Sequence, residues 1–154
     1  MNYGAVEYDP DQAKEAIRKF ALLYFLKHGA SNSNADQLSD SIYNALDEAE
    51  RTEAFNRLSS AVERAFNRLR INGYRCEQDW QCCMSCGWAA IPDEEADHAV
   101  WYHSQDRAVA FDTGKLLLVW QGDAALIRSC LEAEGLAVEH DGTVERRIRV
   151  EMPS

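Results

Sequence analysis

The amino-acid sequence predicts an α+β fold, in which N-terminal helices precede a mostly antiparallel β-sheet with one packed helix, in the order β-β-α-β-β. Before Gly73, apolar residues recur every three or four positions, which is the spacing of amphipathic helices. After Gly73, short segments rich in branched and aromatic residues alternate with turn residues, which is typical of strands. We therefore expect a helical region at residues 1–51 and an α+β domain at residues 52–154, with a cysteine-rich loop at residues 76–87.

The first predicted helix starts at Asp9 and Pro10, because aspartate caps helix N-termini and proline fits the first helical position. Gly29 ends this helix. Its apolar residues recur with helical spacing, and we expect them to form its buried stripe. They are Ala13, Ala16, Ile17, Phe20, Leu23 and Tyr24.

Two further helical patterns follow in the first half of the chain. One begins near Ala35 and the other near Thr52, and the latter ends at Asn72-Gly73. The sequence leaves open whether they form one continuous helix or break near Glu50. Their apolar stripes are interpreted as core rather than as a cofactor-binding surface.

The second half of the chain alternates strand signals with turn signals. Turn residues separate the first two strands at 112–114 and the last two at Asp141-Gly142. A helix between the two strand pairs begins after Gly122-Asp123 and ends at Gly135. The strands are predicted at Val100–His103, Lys115–Trp120, Leu136–His140 and Arg146–Met152.

The charge of the chain argues against several classes of function. It carries 16 basic and 26 acidic side chains, for a net charge of −10. Because so acidic a surface repels nucleic acids and anionic membranes, direct binding to either is not expected. The longest apolar run, Phe20–Leu26, is far shorter than the roughly 18 residues of a membrane span, and Met1–Asp11 lacks the features of a secretory leader. We therefore expect a cytoplasmic protein with reduced cysteines.

The most unusual segment is the cysteine-rich loop. Cys83-x-x-Cys86 has the spacing that lets two thiolates bind one tetrahedral metal ion. A structural zinc site needs four ligands, so Cys76 is the candidate third ligand and His103 or His98 the fourth. The sequence therefore predicts either a zinc site at this loop or no cofactor.

Two other interpretations of the cysteine-rich loop remain open. A thioredoxin-type redox motif needs a buried strand before its first cysteine, and the polar segment 77–81 does not have the pattern of one. Alternatively, the thiols are small apolar groups that pack beneath the sheet and have no chemical role.

A histidine and an aspartate three residues apart follow the first predicted strand. Asp106 could orient His103 for base catalysis, with Cys83 or Cys86 as the nucleophile. In the interpretation that we favour, His103 and Asp106 instead form a hydrogen-bonded turn, and Asp106 caps a short helix at residues 107–110. The sequence contains no nucleophile elbow, phosphate-binding loop or dinucleotide fingerprint.

Five short motifs follow one another after residue 80: Cys82-Cys83-x-x-Cys86-Gly87, Tyr102-His103-x-Gln105-Asp106, Gly114-x-Leu116, Gly135-Leu136-x-Val138-x-x-Asp141-Gly142 and Arg147-Ile148-x-Val150. Together they resemble a bacterial family of unknown function. The resemblance covers about residues 55–152, leaves the helices before residue 52 outside, and implies no activity. His140 departs from the family pattern, which more often has tryptophan there. The resemblance does imply a shared site, made of Cys82, Cys83, Cys86, His103, Gln105 and Asp106.

Two classes of function remain. The first is a non-catalytic binding protein, such as an inhibitor or an anti-defence protein of phages and mobile elements. Such a protein presents carboxylates to a basic protein partner, for example a nucleic-acid-binding protein. The candidate contacts are Asp93, Glu94, Glu95 and Asp97. The alternative is a cysteine-site protein, zinc-binding or thiol-reactive, that acts through Cys76, Cys82, Cys83 and Cys86.

The first helix also predicts a homodimer or docking of a partner. Leu22, Phe25 and Leu26 add apolar surface beyond one stripe. A helix that is apolar on more than one side must be buried on more than one side.

Overall fold

The structure is a computed structural model that describes residues 9–154. The chain divides into two compact units, Met1–Arg51 and Thr52–Ser154. Residues 1–8, where the sequence predicts no secretory leader, lie outside the described residues. The helices are α1 (Pro10–Lys27), α2 (Asn32–Ile71), α3 (Met84–Ala89), α4 (Asp93–Ala96), α5 (Ser104–Thr113) and α6 (Ala124–Ala133), and the strands are β1 (Arg75–Glu77), β2 (Ala99–Trp101), β3 (Lys115–Gln121), β4 (Ala137–Glu139) and β5 (Ile148–Glu151).

The first unit contains α1 and the beginning of α2. The predicted cap of α1 is confirmed, because the Asp9 carboxylate accepts hydrogen bonds from the backbone N–H groups of Asp11 and Gln12. The predicted buried stripe of α1 is wrong, since its large members are exposed. These are Ile17, Phe20, Leu23 and Tyr24.

Ion pairs connect α1 with the beginning of α2. The Lys14 ammonium is buried, 2.8 Å from a carboxylate oxygen of Asp47 and 3.0 Å from one of Glu50. One turn further along α1, Arg18 Nε lies 2.6 Å from Asp40 Oδ1. These paired charges keep the polar side of α1 against α2 and leave its apolar side outward.

The two helical patterns that follow α1 form one continuous helix. α2 runs from Asn32 to Ile71 without a break near Glu50. The sequence of this helix contains neither glycine nor proline, the two residues that most often interrupt helices. The question that the sequence left open is therefore decided in favour of a single helix.

The second unit contains a five-stranded sheet in the order β1-β2-β3-β5-β4. β1 and β2 are parallel, whereas the pairs β2–β3, β3–β5 and β4–β5 are antiparallel. The predicted α+β fold with a mostly antiparallel sheet is confirmed. Among the described residues, no helix combines the length and the apolar character that crossing a membrane requires.

The predicted turn between the first two strands is wrong, because α5 occupies this segment. Residues 112–114 end α5, and Gly114 adopts the left-handed conformation with φ of 73° that often follows a helix. The strand β1 and the short helices α3 and α4 were also missed. Each of these has six residues or fewer, too short for a periodic pattern to appear.

The sheet has apolar residues on both faces. On one face, Val100 and Tyr102 pack with residues of α2 and α6 in the larger core. On the other face, Trp101 packs with Ile91 and Val119 in a smaller cluster that also touches Trp80 and Trp88. Successive residues of a strand point to opposite faces, so β2 contributes to both clusters. The second face is the one against which the cysteine-rich loop folds.

Candidate metal centre

The segment before the cysteines is attached to the end of β2 by backbone hydrogen bonds. The N–H of Trp80 donates to the carbonyl of Tyr102 at 2.8 Å, and the N–H of Ser104 donates to the carbonyl of Gln81 at 3.1 Å. Asp79 and Gln81 have positive φ angles of 50° and 62°, which few residues other than glycine adopt. The chain therefore turns sharply here, and the cysteines follow directly.

The helix α3 is seated on Trp101. A Cβ atom on the buried Gly87 would lie only 2.1 Å from the ring of Trp101, so only glycine allows this close approach. The indole N–H of Trp80 donates to the carbonyl of Gly87 at 3.2 Å, and Trp88 packs edge-to-face on Trp101 with the ring centroids 5.4 Å apart. These contacts fix the helix that carries Cys86.

Three thiols come together at the start of α3. The sulfur atoms of Cys82, Cys83 and Cys86 all lie within 4.8 Å of one another, and those of Cys82 and Cys83 are 3.9 Å apart. Two thiolates bound to one tetrahedral zinc ion at the usual bond length lie about 3.8 Å apart. Cys82 and Cys86 are exposed and Cys83 is half-buried. An ion from solvent can therefore reach these sulfur atoms, and the distances between them are close to those between zinc-bound thiolates.

The electrostatics of the three thiols differ. The backbone N–H of Cys86 is the main group that holds the pKa of Cys83 below its usual value. Hydrogen bonds between the Cys86 thiol and the sulfur atoms of Cys82 and Cys83, followed by the repulsion between neighbouring thiolates, raise the pKa of Cys86 to about 11. A bound cation removes this repulsion and favours the thiolate form of all three.

The structure does not bring the predicted ligand set together. Cys76 lies in the middle of β1 with its side chain in the larger core, where burial raises the pKa of its thiol to about 12. His98 is exposed and packs edge-to-face on Tyr74. The group of three thiols contains Cys82 instead of Cys76 and includes neither histidine. The interpretation that all loop thiols are packed beneath the sheet is also wrong for the exposed Cys82 and Cys86.

The side chain of His103 caps α5, so it is not free to bind a metal. Its Nδ1 accepts from the backbone N–H of Asp106 at 3.4 Å, and the Asp106 carboxylate accepts from the backbone N–H of His103 at 3.2 Å. Its Nε2 lies 3.1 Å from the same carboxylate. The predicted hydrogen-bonded turn of His103 and Asp106 is confirmed, but the predicted cap is wrong, because His103 caps the helix and Asp106 is its third residue. Gln105 is exposed on the first turn of α5.

An ion pair between the buried Asp106 and the half-buried Arg147, which the sequence did not assign, connects α5 with the segment before β5. The Arg147 guanidinium donates to both oxygens of Asp106, at 2.8 and 2.5 Å, and to the carbonyl of Leu117 at 2.9 Å. The Asp106 carboxylate is almost fully buried. Asp106 and Arg147 both belong to the five short motifs that resemble the family pattern. No other feature of the sequence connected the two residues. Through Arg147, the pair connects α5 with Leu117 of β3.

The acidic segment forms α4. Glu95 is half-buried and accepts a hydrogen bond from Arg75 at 2.9 Å. Asp93, Glu94 and Asp97 are exposed. Three of the four predicted contact residues are therefore accessible to a partner, and the fourth is part of an internal ion pair.

Comparison with known proteins gives one match. Neither the curated proteins nor the solved structures include a significant relative of the chain. A family model described as a domain of unknown function (DUF6891) matches residues 5–153. The predicted membership of a family of unknown function is confirmed, but the expected boundary is wrong, because the match also covers the helices before residue 52. The chain therefore belongs to the DUF6891 family.

Proposed function

We propose that this protein binds a thiophilic metal ion, of which Zn²⁺ is the first candidate, through Cys82, Cys83 and Cys86. The observation that supports the proposal is the convergence of three sulfur atoms within 4.8 Å of one another on the surface. Thiolates are the ligands that zinc and other soft ions prefer. The proposal replaces the Cys76-containing set with the three residues that are close in space.

The three-thiol site would bind its ion reversibly. Three protein ligands leave one coordination position of a tetrahedral ion open, as in catalytic zinc sites, whereas structural sites have four. The sulfur atoms lie within 4.8 Å of one another, and two of the three thiols are exposed. Metal exchange with solvent or with a partner molecule is the function that this arrangement supports.

Titration of the reduced, metal-free protein with Zn²⁺ against a chromophoric chelator tests the proposal. We expect one equivalent to bind, and we expect Cys86→Ser to lose it, because two thiolates bind zinc far more weakly than three. Cys130→Ala is the matched control, since it removes a thiol from α6 and leaves the site intact. Equal affinity in the Cys86→Ser variant, or no binding by the native chain, would contradict the proposal.

Alkylation provides a second readout. Without metal, Cys83 should react first at neutral pH, since its pKa is lowered, and Cys86 should react later, since its pKa is raised. Bound Zn²⁺ should protect all three thiols together. Mass spectrometry of the labelled peptides measures the labelling of each thiol with and without Zn²⁺. Protection by simple burial would be the same in both conditions.

The exposed carboxylates of α4 support a second candidate function, binding of a basic protein such as a nucleic-acid-binding protein. Asp93, Glu94 and Asp97 are exposed on a chain with a net charge of −10. Opposite charges accelerate association, and salt screens them over about 8 Å at physiological ionic strength. Such a protein would act by occupying the basic surface of its partner, without catalysis.

Neutralising the three exposed residues of α4 tests this second candidate. The triple variant Asp93→Asn, Glu94→Gln, Asp97→Asn should capture less of a basic partner from a host lysate at low salt, while its stability changes by less than about 0.5 kcal/mol. The control removes the same charge elsewhere at exposed positions, with Asp36→Asn, Glu53→Gln and Glu145→Gln. Capture that is equal in both variants and indifferent to salt would exclude a contact through α4.

A further inference from the structure

The helix α1 exposes a seam of residues with coiled-coil spacing. Positions 9, 13, 16, 20, 23 and 27 alternate steps of four and three, which places them on one face of the helix. Phe20 is 72% exposed and Leu23 is 67% exposed. Ile17, Tyr24 and Leu26 flank the seam and are exposed as well. A continuous apolar face of this kind on a soluble chain marks an interaction surface.

The opposite side of α1 does not provide an apolar core for the first unit. Among the described residues of this unit, those that are buried are Lys14, Ala21, Ala35 and Ser39. None of these is a large apolar residue, and Lys14 is held by ion pairs. Leu22, Phe25 and Ile42 are only half-buried, so covering the outward seam would add the apolar burial that stabilises packed helices.

The seam is complementary to itself when two copies run antiparallel. Its N-terminal half carries the small residues Ala13 and Ala16, and its C-terminal half carries Phe20 and Leu23. A twofold axis near position 18 places Ala16 opposite Phe20 and Ala13 opposite Leu23. Layers that combine a large and a small residue pack without voids or clashes.

The charges at the two ends of the seam agree with the same alignment. The axis near position 18 places Asp9 of one copy opposite Lys27 of the other. A parallel alignment would instead place Phe20 against Phe20 and Lys27 against Lys27, where the like charges repel each other. Size and charge thus select the same register and orientation.

From these observations we propose that the protein is a homodimer held by antiparallel packing of α1 from two copies. The seam consists of Asp9, Ala13, Ala16, Phe20, Leu23 and Lys27. Pairing in this way places the two α1 helices side by side at the centre, each with the beginning of its own α2 on the far side. The proposal concerns the first unit and is independent of metal binding at the cysteines.

Sedimentation velocity of the full chain tests the dimer. The native protein should sediment with twice the chain mass of 17.4 kDa, and the variant Phe20→Glu, Leu23→Glu should sediment with that mass. Ile71→Glu is the control, because Ile71 is 87% exposed outside the seam and its replacement should leave the dimer intact. Circular dichroism establishes that the double variant keeps its helices. A monomeric native protein, or a double variant that still dimerises, overturns the proposal.

Charge substitution tests the antiparallel orientation of the two α1 helices. Lys27→Glu should weaken the dimer, because the new carboxylate faces Asp9 of the other copy. Adding Asp9→Asn should restore part of the affinity, since asparagine removes the charge and still caps the helix. If the variant Lys27→Glu, Asp9→Asn dimerises no better than Lys27→Glu alone, then the antiparallel register is wrong.

Discussion

Gly87→Ala should destabilise the second unit by about 3 kcal/mol or more, which is large for the addition of one methyl group. The new Cβ would lie 2.1–2.8 Å from three atoms of the Trp101 ring. Trp101 is fully buried, and the close packing of protein interiors opposes its displacement. Urea unfolding measures the loss, and Ser85→Ala, an exposed change in the same helix, is the control that should change stability little.

A double-mutant cycle separates this steric effect from any effect on helix formation. The atoms that the new Cβ would meet belong to the six-membered ring of the indole. Trp101→Phe provides a smaller ring at this place, so the additional cost of Gly87→Ala should be smaller in that background. An unchanged cost would mean that the contact with Trp101 is not the reason. Gly87 also allows the helix that carries Cys86 to pack closely against Trp101. We therefore expect Gly87→Ala to weaken the proposed zinc binding.

The second large effect is expected at Asp106. Replacing Asp106 by alanine leaves the half-buried Arg147 guanidinium without its carboxylate, so the cost should lie at or below the lower end of the about 3–5 kcal/mol that breaking a fully buried ion pair costs. The α5 capping box loses one partner as well. Urea unfolding measures the change. Glu139→Ala, which removes the carboxylate of an exposed ion pair with Arg149, should change stability by less than about 1 kcal/mol.

A double-mutant cycle separates the contribution of the Asp106–Arg147 ion pair to stability from that of side-chain packing. Arg147→Met removes the charge and retains most of the apolar stem. If the cost arises from an unpaired buried charge, the combination of Asp106→Ala with Arg147→Met should cost less than the sum of the single changes. Additive losses would show that the two residues stabilise the fold separately.

Local signals in the sequence were sufficient for much of the fold. Asp123 caps α6 through the backbone N–H groups of Ala125 and Leu126, as the sequence predicted. The strand β5 has apolar residues at alternate positions, because one of its faces lies on the larger core. The strand β3 is apolar from Leu116 to Trp120, because Val119 packs in the smaller cluster on the other face. In contrast, β1 has only three residues and is defined by its pairing with β2, which begins 24 positions later. No local pattern reports such a pairing.

Only part of the candidate metal site was predicted from the sequence, again because local patterns do not report tertiary contacts. The Cys83-x-x-Cys86 spacing correctly identified two of the three clustered thiols. Cys82 was not named as a metal ligand, because the ligands were chosen on the Cys83-x-x-Cys86 spacing, to which an adjacent cysteine adds nothing. Cys76 is close along the sequence, but as the central residue of a strand it points into the core. Tertiary structure decides both cases.

The contact between Asp106 and Arg147 spans 41 positions. Nothing local to either residue indicates the other, although both lie in motifs of the resemblance. The orientation of α1 was missed for a different physical reason. Periodicity identifies the apolar side of a helix, but it does not say whether the same chain covers that side.

The two outer strands of the sheet, β1 and β4, each have only three residues. An exposed edge strand is a template on which other chains can add strands, and this is a route to aggregation. Here each edge offers few free backbone groups, and charged side chains such as Glu77 and Glu139 lie along it. Growth of the sheet by addition of another copy is therefore unfavourable, so concentrated solutions of the protein should resist conversion into fibrils.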